Sequence, residues 1–383
     1  MTDTKEAITK KEVGGSVDHF WNPRFWDGTT FSAWTRLCVS GHYRFGPSRI
    51  GMAGLIYALS FLNSGLALGQ RFFYGRRIRE QKLAGPPIFI IGHWRSGTTL
   101  LHEYLIRDTR FTCSDTYTCF APSHFIVSGP TFRPMVQLLM PAKRPMDNML
   151  AGLDRPQEDE FALCALGLPS PYRNILFPNC PPINPEYLTL RSIPDDKRKE
   201  WLDVFELFLK ALTVHENKII VLKSPPHTGR IRTILERFPD AKFIHIHRNP
   251  YVLFPSTMTL WMRLSRTHGG QKPNGKGLEE KVFHDFEEMY QAFSSDLPLL
   301  KENQFVDVSY DSLVQSPVDI IEKIYMTLGI GDFDSVRQNF VAFAETQRNY
   351  KKNRFQIAPE IADTIAKRWS WYIERYGYQR PEE

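Results

Sequence analysis

From Pro86 onward, short apolar runs alternate with amphipathic stretches. Three runs stand out: Ile88 to Ile91, Ile219 to Leu222 and Phe243 to Ile246. Each is followed within a few residues by a basic side chain, then by Gly, Ser or Pro opening a helical stretch. Apolar strands alternating with helices predict an α/β domain, with a central parallel sheet flanked by helices in three layers. In such a sheet the ligand sits outside the carboxyl ends of the strands. Three basic residues placed there would converge on one anionic ligand.

The chain before residue 85 follows a different pattern. Residues 50 to 69 form an uncharged run of about bilayer-spanning length, followed by Arg71, Arg76, Arg77 and Arg79. Asn63, two serines and four glycines dilute the run, and the flank RFFYGRR suits a helix in the membrane interface as well as one crossing it. Membrane-surface, spanning and buried readings stay open. The chain thus divides into an amino-terminal segment, 1–84, with an apolar helix, and a larger domain, 85–383. The segment THGGQKPNGKG (267 to 277) reads as a flexible surface loop, and no internal repeat is found. The first twenty residues mix Lys5, Lys10 and Lys11 with Glu6 and Glu12 and lack an apolar core, so a cytoplasmic protein without a cleavable signal peptide is expected.

Composition narrows the function classes. At 383 residues and 42% hydrophobic, the chain can bury a large core. A formal net charge of +6 suits an anionic small ligand without demanding nucleic acid. The five cysteines, Cys38, Cys113, Cys119, Cys164 and Cys180, show no CxxC spacing and no Cys/His cluster, so reduced thiols and no metal site are expected.

The sequence IFIIGHWRSGTTLLHEYL places Gly92, four residues, Gly97, Thr98 and Thr99 between a strand and a helix. Its spacing follows the P-loop up to the position of the lysine, which here is Thr98. Glycines let the backbone N–H groups and the helix N-terminus face an oxyanion. Without the lysine, nucleoside triphosphate chemistry is disfavoured, and Arg95 would supply the fixed positive charge. In KFIHIHRNPYVLFPSTM, an alternating strand ends at Arg248, and Ser256 follows eight residues later on a helix. Both can turn toward one anion above the sheet.

GHWRSGTT resembles the 5′-phosphosulfate loop of the sulfotransferases that use 3′-phosphoadenosine 5′-phosphosulfate (PAPS). Its arginine variant RSGTT is similar to the branch containing tyrosylprotein sulfotransferases and many bacterial homologues. The Arg248/Ser256 pair resembles that family's 3′-phosphate motif, and motif order extends the resemblance over roughly residues 86 to 325. The resemblance implies a P-loop-like fold and metal-independent sulfuryl transfer from PAPS to an acceptor hydroxyl of a lipid, carbohydrate or other alcohol. It implies nucleotide contacts from Arg95, Ser96, Gly97, Thr98, Thr99, Arg248 and Ser256. It also implies that Lys223, at the end of its strand, stabilises the sulfate in flight. Tyr310 in VSYDSLVQSP looks like the tyrosine of the family's Y-E-x-L pattern, with Asp311 in place of the glutamate. Either a ligand contact or packing suits it. Lys351, Lys352 and Arg354 could close over the nucleotide as a basic segment does in relatives.

The general base does not carry over. Cytosolic relatives use a histidine after K-T-H, whereas Lys223, Ser224, Pro225, Pro226 displaces His227. The tyrosylprotein branch uses a glutamate shortly after the first helix, where this chain has Asp115. In LDRPQEDEFALCALG, Glu158 suits a capping role and acids complement the dipole of the helix that follows. Three acids in a row still leave Asp159 or Glu160 as candidate base, beside Asp115 and His227. The competing readings are a P-loop small-molecule kinase and a non-catalytic membrane-associated nucleotide-binding protein.

Overall fold

A computed structural model describes residues 23–139, 152–348 and 357–380. The charged residues from Lys5 to Glu12, and Lys351, Lys352 and Arg354, lie outside the described residues. The sheet comprises β1 (Ile88–Ile91), β2 (Phe111–Cys113), β3 (Ile219–Lys223), β4 (Lys242–His247) and β5 (Phe305–Ser309), in the order β2-β3-β1-β4-β5. Every pairing is parallel. The three apolar runs read from the sequence are β1, β3 and β4 to within a residue at each end. The other two strands carry weak signals, β2 because it is three residues long and β5 because FVDVS lies at a half-exposed edge.

The helices of the first half are α1 (Phe31–Ser40), α2 (Ile50–Glu80), α3 (Thr98–Leu105), α4 (Thr116–Phe120), α5 (Phe125–Leu139), α6 (Asp159–Ala165) and α7 (Arg173–Leu176). The second half adds α8 (Asp195–His215), α9 (Ile231–Arg237), α10 (Pro250–His268), α11 (Leu278–Asp296) and α12 (Tyr310–Gln315). The chain ends in α13 (Pro317–Leu328), α14 (Arg337–Gln347), α15 (Pro359–Arg368) and α16 (Ser370–Tyr376).

Side chains of a strand alternate between faces, and here they sort into two cores. Phe89, Ile91, Ile220, Leu222 and Phe243 join Trp26, Phe161, Phe205 and Trp369 on one face. Ile88, Ile90, Val221, Ile244 and Ile246 join Leu101, Leu313, Ile324 and Phe340 on the other. This is the expected three-layer arrangement. Central β1 pairs with β3 through Ile90↔Lys223 and with β4 through Ile91↔His245, so the carboxyl ends of all three are neighbours.

The segment before residue 85 shares the first of these cores. Phe25, Trp26, Trp34, Leu37 and Cys38 are buried in it, and Trp26 Nε1 donates to the carbonyl of His268 at 2.7 Å. That contact corrects the reading of residues 267 to 277 as a flexible loop. Thr267 through Gly270 are buried, α10 runs on to His268, and Gly270 exchanges backbone bonds with Gly46 (2.8 Å) and Leu176 (2.7 Å). Only the stretch from Gln271 onward lies at the surface.

α2 packs on the domain along one side only. One side packs on the domain through Ala53, Ile56, Ser60, Asn63, Gln70 and Ile78, while Leu55, Phe61, Leu62, Leu68, Phe72 and Phe73 are exposed. The polar residues that dilute the apolar run are its attachment points. Asn63 Nδ2 donates to the carbonyls of Asp27 (2.7 Å) and Thr29 (3.0 Å), Ser64 Oγ accepts from Phe31 N (2.9 Å), and Gln70 Oε1 accepts from Ile126 N (2.9 Å).

Candidate functional site

The loop leaving β1 turns through three left-handed residues, Gly92 (φ 139°), Arg95 (φ 70°) and Gly97 (φ 108°), before α3 opens at Thr98. A Cβ on Gly97 would lie 2.3 Å from Tyr310 Cδ2, so the residue must be glycine for size as well as backbone freedom. Arg95 holds a conformation that side chains adopt at a cost, the kind of local strain that clusters at functional sites. Ser96 Oγ is buried without a hydrogen-bond partner inside this loop. Thr98, where a nucleoside triphosphatase carries its lysine, is buried.

The second motif meets the first directly. Asn249 caps α10 by accepting from Tyr251 N at 3.0 Å, and Pro250 starts the helix, which fixes where Ser256 projects. Arg95 Nε donates to Ser256 Oγ at 2.9 Å, and Arg248 Nη1 donates to the Arg95 carbonyl at 3.0 Å. The Arg248 guanidinium lies 4.1 Å from the centroid of the Tyr310 ring. Four residues named from three separate stretches of sequence are therefore linked in a chain of contacts, Ser256 to Arg95 to Arg248 to Tyr310. The C-terminal helix supports them, since Tyr372 OH bridges the Arg248 backbone, accepting from its N at 3.2 Å and donating to its carbonyl at 3.1 Å.

Lys223 ends β3 and is fully buried, with Nζ donating to Glu158 Oε1 at 2.8 Å. Glu158 sits at the N-cap of α6 yet makes no capping bond. Its carboxylate turns toward the site instead, with a side chain 14% exposed. The other oxygen, Oε2, accepts a short hydrogen bond from Tyr172 OH, which in turn accepts from Trp94 Nε1 of the glycine loop at 2.8 Å. Burial first, and then the Glu158 charge, push the Tyr172 phenol well above its ordinary range, so it remains a donor.

The acids read as candidate bases lie elsewhere. Asp159 is fully buried, accepting from Ser224 Oγ at 2.9 Å and from His227 Nε2 at 2.6 Å. Burial raises its pKa, but the His227 charge and these hydrogen bonds outweigh burial and hold it below the usual carboxylate range. Glu160 is equally buried and accepts from Arg230 Nη1 at 2.5 Å and Ser170 Oγ at 2.5 Å. Both face inward because Ser224, His227 and Arg230, which follow β3, bond to the first turn of α6, leaving no surface for an acceptor. Asp115 caps α4 through Thr118 N and pairs with Arg133, and His227 is closed off by Asp159. Asp159 and Glu160, the expected candidate bases, are therefore enclosed by their partners, whereas the preceding residue, Glu158, is partly exposed beside Lys223. The signal for Glu158 is a cap-position carboxylate that does not cap, visible only once Lys223 lies beside it.

An arginine-bearing oxyanion loop in contact with a second arginine/serine pair is arranged to hold a ligand with two anionic ends, and a Lys–Glu pair beside it offers a charge and a proton acceptor. The sequence profile of the sulfotransferase family matches residues 86–335. The chain belongs to the sulfotransferase family. It is 40% identical over 360 residues to the omega-hydroxy-beta-dihydromenaquinone-9 sulfotransferase Stf3 of Mycobacterium tuberculosis, covering 94% of this chain and 92% of that protein, and equally to the same protein of Mycobacterium bovis. Among solved structures, sulfotransferase STF9 from Mycobacterium avium superposes with a TM-score of 0.62 at 14% identity, covering 93% of this chain and 98% of that one. STF1 from Mycobacterium tuberculosis gives 0.59 at 17% identity, covering 94% and 95%. The two share the sulfotransferase fold with this chain. As a sulfotransferase the protein is an enzyme, and its parallel sheet carries the P-loop-like fold expected from the sequence.

Proposed function

We propose that this sulfotransferase moves the sulfuryl group of PAPS onto a hydroxyl of a lipid-like acceptor. The observation that carries the donor assignment is the contact of Arg95 with both Ser256 and Arg248, which joins a 5′ oxyanion loop to a second anion clamp. PAPS differs from ATP by its 3′-phosphate, and a guanidinium at a strand end with a serine on the next helix suits that group. The orphaned Ser96 hydroxyl and the loop amides between Gly92 and Thr98 fit its 5′ end.

PAPS supplies an activated sulfuryl group; the protein supplies position, charge and a base. The S–O bond to the 5′-phosphate breaks and a new S–O bond forms to the acceptor oxygen, whose proton passes to Glu158. Lys223 and Tyr172 hold the Glu158 carboxyl group in one orientation, and Trp94 ties that orientation to the loop. Arg95 and Lys223 stabilise the charge that collects on the leaving phosphate. Tyr310, stacked over Arg248, holds the 3′ clamp.

The lipid-like acceptor rests on two supports. The curated relative acts, by its name, on an omega-hydroxylated menaquinone. The outward face of α2 is apolar over much of its length, which supports a protein that associates with a membrane. A P-loop kinase reading is disfavoured by buried Thr98 at the lysine position, and a non-catalytic reading by the Lys223–Glu158 pair beside the loop. The test is thermal stabilisation by adenosine 3′,5′-bisphosphate against ATP with magnesium, followed by label transfer from radiolabelled PAPS to a hydroxylated prenyl quinone in detergent. Stabilisation by ATP with magnesium alone, or no labelled quinone, refutes the proposal.

A further inference from the structure

We propose that α2 lies flat in the surface of an anionic bilayer, with its outer face buried among the acyl chains and its inner face bolted to the enzyme. The proposal extends the lipid-acceptor reading, and its test is separable from it. At about 100° per residue, Leu55, Phe61, Leu62, Leu68, Phe72 and Phe73 fall within one arc of about 140° of the helix. Their exposures run from 50% for Leu62 to 82% for Phe72. Ser60, Asn63 and Gln70 occupy the opposite arc and are buried, with Asn63 and Gln70 hydrogen-bonded to the domain. A helix on the surface of a water-soluble protein has the reverse polarity, apolar inward and polar outward. Leaving these side chains in water is costly, and a contiguous apolar face of this kind marks an interaction surface.

Charge identifies the occupant. The last turns of α2 read RFFYGRRIRE, four arginines against one glutamate, and Arg76 and Arg79 fall within the outward arc beside the two phenylalanines. Aromatic side chains flanked by arginine on one helical face match the boundary between acyl chains and anionic head groups. A spanning orientation is ruled out by the inner face, which packs on α1, α5 and α8 and holds Asn63 and Gln70 in bonds to the protein. The flanking helices contribute to the same property, with Phe31 and Val39 of α1 and Met135 and Leu138 of α5 exposed. The second copy of this chain is the rival occupant, since Gly65 and Gly69, four residues apart on the outward arc, have nothing within 4 Å of a built Cβ.

The test is flotation of the full chain with vesicles of phosphatidylcholine containing one quarter phosphatidylglycerol, beside sedimentation velocity without lipid. The wild type should float, and the triple variant Phe61→Ser, Leu68→Ser, Phe72→Ser should lose at least tenfold in vesicle affinity. Arg76→Gln with Arg79→Gln should lose affinity for the anionic vesicles, with little change on pure phosphatidylcholine. Binding of adenosine 3′,5′-bisphosphate at wild-type strength shows that each variant is folded and leaves the enzyme reading standing. A wild type that binds the nucleotide but does not float overturns the docking proposal alone. So does a triple variant that floats as well as wild type, or one whose only change is conversion of a dimer to a monomer.

Discussion

Replacing Glu158 by Gln separates the proposed base from its scaffold. The glutamine keeps the shape and an oxygen to accept from Lys223 Nζ, but it removes the charge and turns an NH2 donor toward Tyr172 OH where an acceptor stood. Lys223 is fully buried, so it loses its counter-ion in a place where breaking a buried pair costs about 3–5 kcal/mol. The retained hydrogen bond and the partial exposure of position 158 bring the stability loss down to about 1–3 kcal/mol, the worth of a hydrogen bond to a charged group. The catalytic loss is larger, since a positioned base contributes about 10²- to 10⁴-fold. Urea unfolding reads the first quantity and single-turnover transfer of labelled sulfate to a hydroxylated prenyl quinone reads the second. Calorimetry with adenosine 3′,5′-bisphosphate confirms that the nucleotide site is intact. Glu160→Gln is the control: it leaves fully buried Arg230 without its carboxylate, so stability falls by about 3–5 kcal/mol. Turnover of its remaining folded fraction stays near wild type. If Glu158→Gln turns over within threefold of wild type, or loses nucleotide affinity as fast as turnover, the assignment of the base is wrong.

Lys223→Ala should lower turnover by roughly a hundredfold with nucleotide affinity mostly kept, and combining it with Glu158→Gln should cost no more than the worse single change; full additivity in the kinetic cycle would show two independent roles. Arg248→Ala should weaken adenosine 3′,5′-bisphosphate by about 10- to 150-fold and by more than it weakens 5′-AMP, and Ser256→Ala, which removes the acceptor of the Arg95 Nε bond, should weaken both in calorimetric titrations. Acidification should destabilise the fold from pH 6.5 downward, because burial depresses His93, His102 and His268 to about 3 and His124 and His247 to about 4. An unfolded chain binds those protons near 6.5 while the folded one refuses them, so stability is complete above 6.5 and falls by up to about 1.4 kcal/mol per pH unit per imidazole until the folded values are reached; unfolding free energies that are flat between pH 7 and 5 would contradict this.

What could be read directly from the sequence was local. β1, β3 and β4 are announced by their own apolar runs, and the loop from Gly92 to Thr99 by glycines whose spacing is a backbone requirement. The pair Arg248 and Ser256 follows from helical geometry within one short stretch. These signals need no partner elsewhere in the chain, and they sufficed for the fold class. Three matters needed the tertiary structure. Lys223 meets Glu158 across 65 residues and Trp94 meets Tyr172 across 78, so which of three consecutive acids stays partly exposed depends on partners far along the chain. Thr267 to Gly270 look like a loop because Gly and Thr favour turns, yet Trp26, Gly46 and Leu176 bury them. In α2, composition is blind to direction: the same asparagine, serines and glutamine would dilute a spanning helix or fasten a surface one. Only the domain against which they bond sets which side of the helix is left exposed.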